Sequence, residues 1–255
     1  MILAQLADEL VEVARLAGAE ILKVYAVDFT TTRKEDQSPV TAADLAAEAV
    51  ILAALQRISP HVPVIAEEDA QKHGLPDHAP DRFWLVDPLD GTKEFVARNG
   101  EFTVNIALIE RGVPVLGIIH VPVLGETYRG YTHLAERSVG DEPFKRIHAR
   151  KPPEEGAIMA ISRSHAAKEL VKAEEVGERI QGTIVAGSSL KFCRLAEGAA
   201  DLYPRFGPTM EWDTAAGHAI LQAAGGSVST LDGHKLLYGK AGFLNPHFIA
   251  RGHRG

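Results

Sequence analysis

Leu3, Leu6, Leu10, Val13, Ala17, Ile21 and Val24 recur at spacings of three and four, which predicts an amphipathic helix over residues 2–25 with one core-facing stripe. Past a loop holding Pro39, Thr41 stands three residues before Asp44 in the manner of a capping signal. Leu45, Ala49, Leu52 and Leu55 continue a second helix with Asp44 in its first turn. Apolar runs then predict strands at 62–66, 83–86, 102–109, 115–120 and 127–131. The stretch 139–156 is polar and holds Pro143, Pro152 and Pro153, a composition suited to a crossing between two halves. Beyond it, strand-like 157–161, 183–186 and 202–205 alternate with helical 166–180, 190–199 and 214–224. The pattern predicts an α+β half over residues 1–140 and an α/β half over 141–255, stacked as alternating layers.

Composition narrows the function classes. With 45% hydrophobic and 24% charged residues and no low-complexity tract, disorder and fibrous repeats are excluded. A chain of 255 residues buries roughly 70–75% of its unfolded surface, so it needs no disulfide or structural metal merely to fold. A net charge of −7 without a basic run argues against binding a nucleic acid polymer through its backbone. Cys193 is the only cysteine and sits in an apolar helical stretch, which predicts a buried, inert thiol and a reducing compartment. Asp8, Glu9, Glu12 and Arg15 interrupt any signal-peptide core, and no run is long enough for an integral membrane segment. The expected setting is cytoplasmic, with peripheral attachment to the inner membrane left open.

The chemistry lies in the acids. Glu67, Glu68 and Asp69 follow one predicted strand, and the run from Asp87 to Thr92 follows the next. Acids at strand ends lie where loops build sites. Pro88 fixes the backbone, so Asp87 and Asp90 can converge with the Leu89 carbonyl, and Gly91 permits a close backbone approach. A helical turn opening at Thr92 would offer free N–H groups to a phosphate oxygen. Asp213, far along the chain, opens another helix. Four ionised carboxylates about 5 Å apart repel by roughly 20 kcal/mol in total at an effective dielectric of 20, against a net stability near 5–15 kcal/mol. Such a cluster must share protons or bind cations, and oxygen-only ligands select hard ions such as Mg²⁺.

Glu67-Glu68-Asp69, the run from Trp84 through Asp87-Pro88-Leu89-Asp90-Gly91-Thr92 to Phe95, and Glu211-Trp212-Asp213-Thr214-Ala215-Ala216-Gly217 resemble the three metal motifs of the inositol monophosphatase superfamily. The resemblance spans nearly the whole chain. Lys93-Glu94-Phe95, Gly187 to Cys193 and Leu202 to Pro208 make it most similar to the 3′(2′),5′-bisphosphate nucleotidases of the CysQ type. The resemblance implies the layered αβαβα sandwich of the sugar phosphatases. It implies two or three Mg²⁺ ions held by Glu67, Asp87, the Leu89 carbonyl, Asp90 and Asp213, with Asp87 bridging. Asp44 would pair with Thr92 to orient a water that attacks in line, without a phosphoenzyme. Glu67, Leu89, Asp90, Gly91, Thr92 and Asp213 would meet the scissile phosphate, and His165, Ser188, Lys191 and Arg205 the second phosphate and nucleoside.

Blander readings stand beside these. Glu68 and Asp69 suit a solvated turn as well as a support for the metal ligands, and Lys34 suits an exposed lysine as well as a loop that closes on substrate. Ser188 could cap the helix near Leu190, Lys191 could be solvated, and Arg205 could form a structural ion pair. The small-molecule phosphate ester implied is 3′-phosphoadenosine 5′-phosphate, cleaved to AMP and phosphate. The alternatives are an inositol or sugar monophosphatase and a noncatalytic nucleotide or metal sensor. A monomer and a homodimer both fit.

Overall fold

The computed structural model describes residues 3–27, 39–163, 177 and 179–253. Lys34, His165 and most of the helix expected over 166–180 lie outside the described residues, and Ile180 opens a strand.

Helices α1 (Leu3–Tyr25) and α2 (Pro39–Ile58) pack on each other and on one face of a seven-stranded sheet. Its strands are β1 (Val64–Ala66), β2 (Arg82–Asp90), β3 (Thr103–Glu110), β4 (Val113–Val121), β5 (Glu126–Tyr131), β6 (Leu134–Val139) and β7 (Lys145–Arg146), and they neighbour one another in chain order. Only β1 and β2 run parallel; every later pair is antiparallel. Two short helices, α3 (Glu67–His73) and α4 (Thr92–Val96), follow β1 and β2.

The second sheet contains β8 (Ala157–Ile161), β9 (Ile180–Val185), β10 (Leu202–Arg205), β11 (Ser227–Thr230) and β12 (Phe248–Arg251), in the order β11-β12-β10-β8-β9. Between the sheets lie α5 (Leu190–Ala196) and α6 (Trp212–Ala223). The described layers are therefore helix pair, sheet, helix pair, sheet. The first sheet extends through β7 to Arg146, past the expected division after residue 140.

Both faces of the first sheet are covered, which explains the nearly continuous apolar runs of β2 and β3. Trp84, Val86, Ile106 and Leu108 pack toward α1 and α2; Phe83, Leu85, Ala107 and Ile109 pack toward α5 and α6. Helix α6 presents Ala215, Ala216 and Ala219 and comes close enough to the sheet that a Cβ on Gly117 would stand 2.3 Å from the Ala216 carbonyl oxygen. Cys193 is fully buried in this layer, and burial pushes its thiol well above the usual range, as an inert residue requires.

Two local expectations are corrected. Helix α2 begins at Pro39, a residue preorganised for a first helical position, so Thr41 lies inside the helix and Asp44 in its second turn. Residues 87–90 do not leave the sheet in a turn; β2 continues through Pro88 to Asp90 with a bulge against β3. Strands β6, β7, β11 and β12 have no counterpart in the apolar pattern. β7 is a two-residue edge strand of charged residues, and β6 beside it mixes Glu136, Arg137 and Ser138 with its apolar positions, so neither offers a continuous apolar run.

Candidate active site

In the parallel pair β1 and β2, Ala66 lies opposite Val86, so the residues that follow them arrive side by side: Glu67 opens α3 and Asp87 continues β2. Regular pairing with β3 sets Asp87 opposite Asn105, whereas Asp90 stands opposite Thr103, one residue out of step. Side chains alternate faces along a strand, so carboxylates three residues apart would point to opposite sides. The extra residue returns them to the same side. That side also carries Phe83 and Leu85 and faces α5 and α6. Helix α6 delivers Asp213 near its N-terminus, where the Asp213 Oδ2 accepts the Met210 N–H at 2.9 Å. Ligand oxygens of Glu67, Asp87 and Asp213 lie within 4.8 Å of one another.

Asp90 stands beside these three, with its Oδ2 accepting the Ser189 N–H at 2.6 Å and facing Asn105 Nδ2 at 3.5 Å. Leu89 is buried, and its N–H donates to Asp87 Oδ1 at 3.0 Å, which fixes the backbone between the two aspartates. Gly91 has φ of 101°, and a Cβ there would meet Ser188 Oγ at 2.0 Å, so the residue must be glycine for the two halves to close.

Burial sets the electrostatics. It pushes the Asp87 carboxyl well above the usual range, helped by the charges of Asp90, Glu67, Asp213 and Asp44. Burial, then Asp90, lifts Asp213 to about 8, and burial, then Asp90 and Glu68, lifts Glu67 to about 7. Asp90 is also raised by burial, against the opposing pull of the Lys191 ammonium and the Ser189 N–H. Asp44, buried on α2, is raised to about 8 by burial and by the charges of Glu68, Glu67 and Glu48. Among the described residues no lysine or arginine is ion-paired with Glu67, Asp87 or Asp213. A crowd of oxygens that holds protons for want of cations, with no thiolate or imidazole among its donors, fits a hard divalent ion.

A cavity of about 250 Å³ opens beside the cluster, lined by Asp90, Thr92, Lys191, Tyr203, Arg205 and Asp213 among others. Lys191 is only 3% exposed, its ammonium donating to the Ala186 carbonyl at 3.2 Å and lying over the Tyr203 ring at 5.1 Å, so the solvated reading fails. Ser188 does not cap α5. Its hydroxyl donates to the Asp90 carbonyl at 2.9 Å, and the helix cap is Ser189, without a side-chain cap bond. Arg205 donates to the Pro208 carbonyl at 3.2 Å and, among the described residues, forms no ion pair. Asp69 pairs with His73 at 2.8 Å on the exposed face of α3, and the Glu68 N–H donates to Glu48 Oε2 at 3.0 Å. Thr92 is exposed at the start of α4, and among the described residues no hydrogen bond joins it to Asp44.

Glu48 and Asn105 have no place in the sequence reading, and Lys93, Ser189 and Tyr203 enter it only inside the motifs that carry the resemblance, without a role; all five stand at or against this site. Two signals were available. Asp44 and Glu48 share a helix face with the core residues Ala43 and Ala47, and Asn105 is a polar amide within the apolar run of β3.

A model of the inositol monophosphatase family matches residues 2–253. The chain is 50% identical over 250 residues to the 3′(2′),5′-bisphosphate nucleotidase CysQ of Salmonella typhimurium, covering 94% of this chain and 97% of that protein. To the CysQ of Escherichia coli K12 it is 47% identical over 246 residues, with the same coverage. The solved CysQ of Bacteroides thetaiotaomicron superposes with a TM-score of 0.82 at 38% identity over 98% of both chains. An inositol monophosphatase from Anabaena gives 0.76 at 28% identity over 98% of this chain and 91% of that one.

Proposed function

The chain belongs to the inositol monophosphatase family, and on that premise we propose that it is a Mg²⁺-dependent 3′(2′),5′-bisphosphate nucleotidase that converts 3′-phosphoadenosine 5′-phosphate to AMP and phosphate. The observation that carries this reading is the juxtaposition of an acidic cluster from Glu67, Asp87 and Asp213 with a cavity wall carrying Lys191, Arg205 and Lys93. One phosphate needs the metals, and a second needs cations set apart from them. A neutral polyol monophosphate has no use for the second set.

Glu67, Asp87, Asp213 and Asp90 would hold the ions, together with the Leu89 carbonyl. Magnesium there supplies an acidified water and neutralises charge on the departing ester oxygen. The chain supplies the rest. Asp44 accepts the Thr92 hydroxyl proton, so the Thr92 oxygen is left to accept one from water and to orient it for in-line attack. The amides at the start of α4 are unpaired within so short a helix and suit the scissile phosphate. Lys191 and Arg205 hold the phosphate that stays, with Ser188 braced between the halves. Our reading places the enzyme in the cytoplasm; no helix among the described residues is long and apolar enough to cross a membrane.

Phosphate release from 3′-phosphoadenosine 5′-phosphate and from inositol 1-phosphate, each with Mg²⁺ present and after chelation, tests the reading. The expected result is release that needs Mg²⁺ and favours the bisphosphate at least tenfold in kcat/KM. A preference for inositol 1-phosphate would overturn the nucleotide assignment, and activity unchanged by chelation would overturn the metal one. Lys191→Met, which keeps the buried stem, is expected to raise KM for the bisphosphate about tenfold more than for a monophosphate ester. Equal increases would remove Lys191 from the second-phosphate site.

A further inference from the structure

A chain of buried polar groups runs from β3 through the start of α5 to Asp90. Thr103 Oγ1 lies 2.8 Å from Ser189 Oγ, Ser189 Oγ donates to Asn105 Oδ1 at 2.7 Å, and Asn105 Nδ2 faces Asp90 Oδ2 at 3.5 Å. Thr103, Asn105 and Ser189 are each at most 2% exposed. A hydroxyl has one proton to give, and Ser189 gives its own to Asn105, so Thr103 must be the donor to Ser189. With its Oδ1 occupied in this way, the Asn105 amide can turn only its NH₂ group toward Asp90. The Ser189 N–H, at 2.6 Å, takes the same Asp90 oxygen. The proton order of the whole chain is thereby fixed, and both donors converge on Oδ2. Among the described residues no donor takes Oδ1, which is the oxygen left for a ligand.

We propose that Asn105 is a positioning residue for Asp90: with Ser189 it pins Oδ2 and so presents Oδ1 as a preset ligand atom at the edge of the Glu67–Asp87–Asp213 cluster. Asn105 touches neither substrate nor ion. It acts through Asp90, and through Ser189 it ties the β2 bulge to the start of α5, the helix that carries Lys191, so the metal-binding half and the cationic half are held in one register. The inference rests on the metal-site reading above but not on which phosphate ester is cleaved.

The test measures Mg²⁺ affinity without substrate, by calorimetric titration of the whole protein, alongside kcat and KM for the bisphosphate. Asn105→Ala is expected to weaken the Mg²⁺ Kd about 10- to 100-fold, the range typical for groups that orient metal ligands. It should also lower kcat, move KM less than about threefold, and recover part of its activity at raised Mg²⁺. Thr103→Val, which deletes only the far hydroxyl, should weaken Mg²⁺ binding in the same direction by less, and Thr103→Ser should regain most of what Thr103→Val loses. Thr103→Val carries the test alone if Asn105→Ala fails to fold. Variants that melt earlier yet bind Mg²⁺ as the parent does would overturn the proposal and leave Asn105 a structural residue. A parent protein that binds no Mg²⁺ would instead overturn the metal-site reading on which the proposal rests.

Discussion

Asp44→Asn is expected to lower kcat about a thousandfold while nucleotide affinity stays within about tenfold. The exchange keeps the shape of a buried side chain on α2 and removes only its capacity to accept the Thr92 proton. Burial, Glu68, Glu67 and Glu48 already hold the metal-free Asp44 carboxyl up at about 8, so at neutral pH a neutral amide replaces a mostly neutral acid. The metal-free variant should therefore melt no earlier than the parent, and the loss of turnover cannot be laid to misfolding. A steady-state assay with a nucleotide titration checks it. Turnover within tenfold of the parent would remove Asp44 as the base. A collapse in nucleotide affinity would make it a binding residue instead, and a noncatalytic sensor would show no turnover to lose in the parent.

The second large effect couples acidity, metal and stability. Asp44 and Asp213 are held at about 8 and Glu67 and Glu48 at about 7, all above the ordinary values of 3.8 and 4.5. The folded protein without metal thus keeps protons that the unfolded chain releases. Stability from these groups is fully present below about pH 4 and is lost as pH rises toward 8. Mg²⁺ displaces those protons, so its binding strengthens over the same interval. In chelator the melting temperature should fall as pH is raised from 5.5 to 8.5. Mg²⁺ at about a hundredfold over its Kd supplies about 2.7 kcal/mol, or roughly 5–11 °C in a chain of this length, and that gain should be present at pH 8.5 and mostly absent at pH 5.5. Thermal melts at the two pH values, with and without Mg²⁺, are decisive; an equal gain at both would mean that the cluster is not where the ion binds.

Much of this architecture is legible in the letters because its cause is local. The stripe Leu6, Leu10, Ala17 and Ile21 needs only helical geometry to be read, and the run from Phe83 to Val86 needs only a strand covered on both faces. Asp87 and Asp213 stand out because charges beside apolar runs are costly unless used. What stays hidden depends on partners distant in sequence. The placing of the Lys191 ammonium over Tyr203 and of the Asn105 amide against Asp90 is set by packing within each half, and the hydroxyl of Ser188 on the Asp90 carbonyl by the contact between halves; no short window contains both sides of any of them. Short charged strands such as β7 form because a neighbour offers its edge, which propensity does not record. The resemblance to a known family supplied the roles that spacing alone left open.

The bulge between Asp87 and Asp90 makes residue count, rather than residue identity, the stringent variable in this segment. Shortening it by a single amino acid would let β2 and β3 zip into regular register with both acids, then two residues apart, still on one face; what the deletion removes is the extra backbone unit between them, and with it the placement of the Leu89 carbonyl. The sheet itself would gain from that deletion. Selection for turnover must therefore work against a slightly better folded competitor at this point, and insertions or deletions here should be far rarer than substitutions of Leu89.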